Sequence, residues 1–243
     1  MAVNPTKTKL ITFSRKLNTV LADYSLDGNR VERCNTIKDL GVLIDSSFEF
    51  GPHINQICTR ASRMLGLVFR SARHGLSNHA CIILYKSLIL QLLEYASLVW
   101  SPYHLGHIYH LQSVQRRFIR FLGCRAGLDF RDVRVDELSN IYDIPSLENR
   151  RRVADVTFLY KLINNQVNCP FLLERINFHV PSRITRHQRV FELDHTGTNY
   201  ARSSPIPRIM RLGNVISSSV DLLTASLGVV RRSAADSILE GAP

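Results

Sequence analysis

The sequence predicts an α+β fold that is mainly helical and arranged in three consecutive parts. Short runs of β-branched and aromatic residues separated by turn residues occupy residues 1–51 and predict a small N-terminal antiparallel β meander. From Pro52 the apolar residues recur at the spacing of amphipathic helices, so residues 52–128 are expected to form a helical bundle. Residues 129–243 have weaker periodicity and many arginines, which indicates a C-terminal region of helices and irregular segments.

The strands of the predicted meander are short. Residues 9–13 form a β-branched and aromatic run, and residues 24–26 and 30–32 flank Asp27-Gly28-Asn29, a turn sequence that tolerates positive φ. The apolar run of residues 40–44 is the next candidate strand. Sheets of this size are not stable alone, so another layer is expected to pack on them.

The first predicted helix follows Pro52. Its apolar positions recur at intervals of three and four residues: Ile54, Ile57, Cys58, Ala61, Met64, Leu65 and Val68. Arg60, Arg63 and Arg70 fall on another side of the same helix. One face is therefore expected to pack, and the other to meet solvent or phosphate.

Three more helices are predicted after it. Ser77 is a typical N-cap for a second helix, which passes through Leu84, Leu88, Leu92 and Tyr95 and ends near Trp100. The third helix is centred on Leu111, Val114, Phe118 and Leu122, carries Arg116, Arg117 and Arg120, and stops near Gly123. The fourth begins at Pro145 and passes through Leu147, Ala154, Phe158 and Leu162 to residues 164–165.

The pattern weakens after residue 167. Residues 181–211 contain six arginines opposed by only Glu192 and Asp194, and they are predicted to be loop and short strand. A weak last helix is predicted over residues 215–227.

The net charge of +11 is concentrated in one stretch of the chain. Between residues 50 and 128 the only acid is Glu94, so this stretch alone has a net charge of +8. Its nine bases are Arg60, Arg63, Arg70, Arg73, Lys86, Arg116, Arg117, Arg120 and Arg125. Such a stretch favours a phosphate backbone as the partner over an anionic membrane surface. The alternative is that acids from elsewhere in the fold shield these bases.

The composition and motifs exclude several classes of protein. With 45% hydrophobic residues and few glycines and prolines, the chain is neither fibrous nor low-complexity. The five scattered cysteines contain no CxxC pair and predict reduced thiols rather than a zinc ribbon. No signal peptide or membrane span is evident, so we expect an intracellular protein, nuclear or cytoplasmic and not secreted.

No catalytic or metal-binding motif stands out in the residues. His104, His107 and His110 lie three residues apart, but in a helix they would spread over about 120° of its surface. No nearby carboxylate or cysteine completes a metal site, so they are predicted to be partly exposed histidines and no metal site is expected. The chain also lacks an adjacent Asp-Asp pair, a nucleophile elbow and a glycine-rich phosphate loop.

A longer pattern resembles the segment that follows the catalytic strands in non-LTR (LINE-type, jockey-like) retrotransposon reverse transcriptases. The N-terminal matches are residues 4–9, the strand of residues 11–15, Lys38-Asp39-Leu40-Gly41-Val42, Phe48 and His53-Ile54. The most specific matches are residues 93–97 with residues 99–102, and residues 114–118. Residues 84–88, Arg150-Arg151-Arg152 with Asp155, Tyr160-Lys161, and Arg208, Arg211 and Asn214 follow the family's order and spacing. The resemblance covers nearly the whole chain.

The resemblance implies a role for each part. Lys7 matches the lysine of polymerase motif D, and the Leu40-Gly41-Val42 hairpin looks like motif E, the primer grip. Residues 1–51 would then be the end of the palm with the primer grip, residues 52–128 a thumb-like region, and residues 129–243 the element's C-terminal region. In the family the basic face of the thumb follows an RNA or DNA template–primer duplex, which implies nucleic-acid contacts for Arg60, Arg63, Arg70, Arg116, Arg117 and Arg120.

The family's catalytic aspartates precede the part that this chain resembles. We therefore expect a truncated reverse-transcriptase remnant that binds nucleic acid, has no catalytic residue and no polymerase activity by itself, and has no cofactor, since Mg²⁺ would belong to the missing palm. Two alternatives stay open. The chain is a recruited helical module that binds a protein partner through its apolar helix faces and residues 100–103, or it is a non-functional gene-model fragment that does not fold stably. The sequence does not indicate an oligomeric state.

Overall fold

The N-terminal part contains three separate strand pairs. The computed structural model describes residue 4 and residues 8–16, 19–180 and 189–239. Strand β1 (Lys9–Leu10) pairs in parallel with β4 (Glu32–Arg33), β2 (Ser25–Leu26) pairs antiparallel with β3 (Asn29–Arg30), and β5 (Thr36–Asp39) pairs antiparallel with β6 (Val42–Asp45). The predicted β content is confirmed, but the pairs do not join into one continuous meander.

The β5–β6 hairpin is closed by a two-residue turn. Asp39 pairs with Val42, and the turn residues Leu40 and Gly41 have φ values of 43° and 89°. Positive φ at both positions is typical of the type I′ turn, whose twist matches that of the flanking strands. The strand predicted at residue 40 therefore begins at Val42, because Leu40 and Gly41 reverse the chain.

The helices of residues 51–125 surround the main hydrophobic core. They are α1 (Gly51–Ala72), α2 (Asn78–Leu84), a π-helical turn (Tyr85–Ile89), α3 (Leu90–Glu94), α4 (Ser97–Trp100) and α5 (Leu105–Arg125). Val42 and Phe50 belong to the same core, so the hairpin packs on these helices. The helices thus form the second layer against which the short β5–β6 hairpin packs.

The predicted packing face of the second helix is wrong. Its buried residues are Cys81, Tyr85, Ile89, Leu90 and Leu93, whereas Leu88 and Tyr95 are exposed. Residues 82–84 and 88–90 place apolar side chains on more than one side, so periodicity alone does not select a face. The buried face is the one that carries Tyr85, because the Tyr85 ring stacks on Phe118 with the ring centroids 4.2 Å apart. The helix also ends at Glu94 instead of near Trp100, since Ala96 has a φ of 53°.

The other predicted helices of this half are confirmed with small corrections. All the apolar residues predicted for α1 are buried except Met64, which is half-buried, and Leu111, Val114, Phe118 and Leu122 are buried in α5. Ser77 caps α2 by accepting a hydrogen bond from the Ala80 N–H. Helix α5 ends at Arg125, two residues after Gly123, and a Cβ on Gly123 would lie 2.8 Å from Val133 and 2.9 Å from Leu138 of α6.

The C-terminal half builds a second core. Its helices are α6 (Val135–Ile141), α7 (Leu147–Ile163), α8 (Pro170–Leu173), α9 (Asn199–Ser203), α10 (Pro205–Ile216) and α11 (Leu227–Leu239). Helix α7 lies between the two cores, since Leu147 belongs to the first and Val156 and Leu159 to the second. Ala154, predicted on its packing face, is exposed.

The sequence prediction is wrong over most of residues 199–227. Residues 199–203 and 205–211 are helical rather than loop and strand, and α10 continues to Ile216. Most of the predicted helix of residues 215–227 is turns. Pro205 is the first residue of α10. The backbone N–H that proline lacks would have no partner within the helix at this position, so proline is well suited to begin a helix there. Residues 181–188, including Arg183 and Arg186, lie outside the described residues.

No helix in the described part of the chain is long and apolar enough to cross a membrane.

Candidate nucleic-acid interface

Helices α1 and α5 run side by side in the same direction. A Cβ on Gly51, at the start of α1, would lie 3.5 Å from His107 near the start of α5. Farther along, Phe69 of α1 stacks on Phe121 of α5 with ring centroids 4.2 Å apart. The two helices therefore offer one continuous two-helix surface to solvent.

Five of the six predicted arginines are exposed on these two helices. Arg63 and Arg70 are seven residues apart, within about 20° of each other around α1 and opposite its buried stripe. Arg117 of α5 lies about 40° from Phe121, on the solvent side of the contact between the helices. Arg60 and Arg116 are also exposed, on the flanks. We call Arg60, Arg63, Arg70, Arg116 and Arg117 the arginine face.

Arg120, the sixth predicted residue, has a different environment. Its side chain is half-buried and its guanidinium carbon lies 5.2 Å from the centre of the Phe130 ring. Its Nε is buried without a hydrogen-bond partner. This arginine packs beside the loop after α5 and is less available to a ligand than its neighbours.

Within the part of the chain that the structure describes, no acid forms an ion pair with the arginine face. Among the described residues, the only one of the nine bases in an ion pair is Lys86, whose Nζ lies 3.9 Å from Asp143. Glu94, the single acid of the stretch, is bound by Arg150 from α7. The charge of the arginine face is therefore uncompensated within the described structure.

Arg125 counts toward the basic stretch but holds helices together. Its Nη1 donates to the Ala72 carbonyl at 2.8 Å, its Nε donates to Asn78 Oδ1 at 3.0 Å, and its Nη2 donates to the Leu76 carbonyl. The guanidinium thus satisfies carbonyls at the C-terminal end of α1 and in the loop before α2. Charge counting along the sequence does not reveal this use, because its partners lie about 50 residues away.

The tip of the β5–β6 hairpin lies against the end of α3. The Tyr95 hydroxyl donates to the Leu40 carbonyl at 2.9 Å, and a Cβ on Gly41 would lie 3.4 Å from the Tyr95 ring. The Leu40 side chain is 84% exposed, whereas Val42 is buried. The Leu40-Gly41-Val42 segment is therefore an anchored turn with one outward apolar side chain. Lys7 lies outside the described residues.

The sequence did not predict a role for the polar groups beneath this hairpin. His53 accepts a hydrogen bond at Nδ1 from the Leu43 N–H at 3.2 Å, and its ring meets Trp100 edge-on. Burial lowers the pKa of His53. Asp45 accepts from the N–H groups of Glu49 and Phe50 just before α1. A buried histidine two residues into an apolar helix is a weak sequence signal, and its partner is a backbone group.

The three regularly spaced histidines show no metal-ligand geometry. His104 and His110 are exposed, His107 is half-buried, and the rings of His104 and His107 are 6.0 Å apart between centroids. In the described ranges no three histidine, cysteine or acidic side chains form a group that could hold a metal ion.

Comparison with known proteins relates the chain to reverse transcriptases. No family model matches it, and no solved structure matches it. A Drosophila melanogaster protein, the probable RNA-directed DNA polymerase from transposon X-element, is 27% identical to this chain over 127 residues. The match covers 51% of this chain and 14% of the relative.

Proposed function

We propose that this chain is the nucleic-acid-binding, thumb-like part of a non-LTR reverse transcriptase, and that its arginine face contacts the phosphate backbone of an RNA or DNA template–primer duplex. The observation that carries the proposal is the set of exposed arginines without acidic partners on two helices packed side by side. The similarity to a transposon RNA-directed DNA polymerase supports the choice of partner.

The arrangement suits a regular polyanion. Guanidinium groups form paired hydrogen bonds to phosphate oxygens, and each neutralised phosphate releases bound counterions. Rigid, buried helix stripes hold Arg63, Arg70 and Arg117 on one surface, so binding would require little ordering of the backbone.

Two further roles follow from the family resemblance and belong to the same proposal. The hairpin tip at Leu40, Gly41 and Val42 would contact the primer end. The hydrogen bond from the Tyr95 hydroxyl to the Leu40 carbonyl would hold the tip in place for this role. Lys7 would lie near the phosphates of an incoming nucleotide. No residue of this chain matches the family's metal-binding aspartates, so we expect no nucleotide addition when the purified chain is mixed with primed template, dNTPs and Mg²⁺. Extension above a heat-inactivated control would contradict that expectation.

A salt titration tests the duplex-binding proposal. If about five phosphates are neutralised, log K should fall with log salt with a slope of about −4 to −5 for B-form DNA. Fluorescence anisotropy with a labelled duplex at four or five salt concentrations measures this slope. An affinity that does not change with salt would contradict the proposal.

The alternative of a protein-binding module has no specific support in residues 100–103. Trp100 is 1% exposed, and its indole N–H donates to the Tyr95 carbonyl at 2.7 Å. This residue serves the core, so we propose no protein partner for this segment.

A further inference from the structure

A cationic cleft lies outside the arginine face, between α7 and α10. Its volume is about 520 Å³, within the range of about 300–1,000 Å³ that small-molecule sites occupy. Two carboxylates, Glu148 and Asp155, line it. The arginines that line it are Arg151, Arg152, Arg189, Arg202, Arg208 and Arg211.

Arg151 is the unusual member of this group. Its side chain is 3% exposed, yet Nε and Nη1 are buried without any hydrogen-bond partner. A buried charged group normally has its partners, because leaving it unpaired is costly. Burial lowers the pKa of the Arg151 guanidinium, which still stays protonated, as arginine does in proteins.

The neighbouring carboxylates are already occupied. Glu94 is bound by Arg150, Glu148 by Arg152 at 2.8 Å, and Asp155 by Arg208 at 2.8 Å. Four guanidinium groups therefore share three carboxylates, and Arg151 is the one without a bond to any of them. One positive charge in this cluster, that of the buried Arg151, is left without an ion-pair partner.

The α10 side of the cleft adds further positive charge. Arg211 donates from Nη2 to the Arg202 carbonyl, which holds the two arginines together. Burial and the nearby cations Arg202 and Arg208 lower the pKa of Arg211. Like charges held this close are stabilised by an anion placed between them.

We propose that this cleft binds a phosphate group, with Arg151 as its buried anchor and Arg211 as a second ligand. A tetrahedral dianion in the cleft would accept a hydrogen bond from the part of the Arg151 guanidinium that lines the cleft and would neutralise the excess charge. The phosphate can be free, as in inorganic phosphate or pyrophosphate, or it can be the end of a nucleic-acid strand. The site is separate from the arginine face and does not depend on duplex binding.

Thermal melts of the full chain at constant ionic strength test the proposal. The probes are inorganic phosphate, pyrophosphate, and a short DNA strand with and without a 5′-phosphate. At about a hundredfold excess over Kd, a probe that binds should raise Tm by about 5–10 °C. A larger shift with free pyrophosphate than with the phosphorylated strand identifies a free ligand, and the reverse identifies a strand end. No saturable shift with any probe would overturn the proposal.

Substitutions at the cleft separate binding from folding. Arg151→Met should abolish the shift and leave the ligand-free Tm unchanged or higher, because it removes an unpaired buried charge. Arg211→Met should weaken binding at least tenfold, and it remains informative if Arg151→Met does not fold. Lys161→Met is the matched control, since Lys161 lines the neighbouring cavity that Arg151 also borders, and it should bind normally. Normal binding by Arg151→Met, or loss of binding only in Lys161→Met, would contradict the assignment.

Discussion

At the scale of single residues, two buried polar side chains fix the hairpin to α1. Burial alone would raise the pKa of Asp45, but hydrogen bonds from the Ser47 hydroxyl and from the N–H groups of Glu49 and Phe50 hold it below its ordinary value. His53 accepts from the N–H of Leu43, which lies two residues before Asp45 in β6. These contacts position the Leu40-Gly41 turn, to which we assign the primer end.

His53 should make stability depend on pH in a specific window. An unfolded histidine takes up a proton near pH 6.5, whereas burial keeps the folded side chain neutral to lower pH. The unfolded state therefore binds more protons, and the free energy of unfolding should fall as the pH decreases from about 7 to 5. His53→Gln, which keeps an acceptor for the Leu43 N–H, should cost about 1–2 kcal/mol at pH 7 and flatten this decline.

Urea unfolding at several pH values measures the effect of His53. The control is His79→Gln, because His79 is exposed and should leave the pH dependence as it is. An undiminished decline in His53→Gln would show that another group is responsible.

At the scale of elements, α7 and α10 approach unusually closely at Gly213. A Cβ at this position would lie 2.5 Å from Leu159 and 2.7 Å from Phe191. Asn214, the next residue, accepts from the Val190 and Phe191 N–H groups and donates to the Phe191 carbonyl, so the residue 190–191 segment is held against α10. This close contact forms the second core beside the cationic cleft.

Gly213→Ala should therefore destabilise the protein although alanine favours helices. Overpacking of this kind costs about 1–3 kcal/mol, or a fall in Tm of about 2–10 °C for a chain of this size. Gly228→Ala in α11 is the control, because nothing lies within 4 Å of its added methyl group, and it should be neutral or stabilising by up to about 1 kcal/mol. Equal Tm values for the two variants, measured by circular dichroism, would contradict the close contact.

The elements differ in how well the sequence predicts them. Helices α1 and α5 were predicted with their packing faces because each has one apolar stripe and an opposite charged side. The second predicted helix has apolar residues on more than one side, and its buried face is set by the stacking of Tyr85 on Phe118. Helix α10 was not predicted, because the pattern of the sequence weakens after residue 167, whereas tertiary contacts of Ile209, Met210 and Gly213 stabilise the helix.

The candidate sites, like the elements, are predictable from the sequence only where they do not depend on contacts between distant parts of the chain. The arginine face was predictable because its residues need only exposure and helical spacing, and no partner from another part of the chain. The roles of Arg125 and Arg151 were not predictable, because they depend on groups distant in sequence. Arg125 binds the carbonyls of residues 72 and 76. Arg151 is unpaired because other arginines already bind the nearby carboxylates.

At the scale of the whole molecule, polar contacts join the two cores. Arg208 of α10 donates to both oxygens of Asp155 on α7, and it donates to the Leu98 carbonyl in α4 at 2.6 Å. Near the N-terminus, Arg15 pairs with Glu49 and lies over the Tyr200 ring at 3.9 Å. These contacts link the part of the chain that carries the arginine face to α7, α9 and α10.

The central claim is that the arginine face binds the duplex, and matched triple variants test it most directly. Arg63, Arg70 and Arg117 are replaced together by Gln, and the control replaces Arg30, Arg175 and Arg232, which are also exposed but lie outside α1 and α5. Both variants lose the same charge, so a difference between them reports position rather than net charge.

The measurement is the salt dependence of duplex affinity for the wild type and both variants. We predict that the control keeps the wild-type slope of log K against log salt, whereas the face variant loses about 2–3 units of slope and most of its affinity at low salt. Equal slopes and affinities for the two variants would contradict the account, because binding would then follow total charge and not the arginine face.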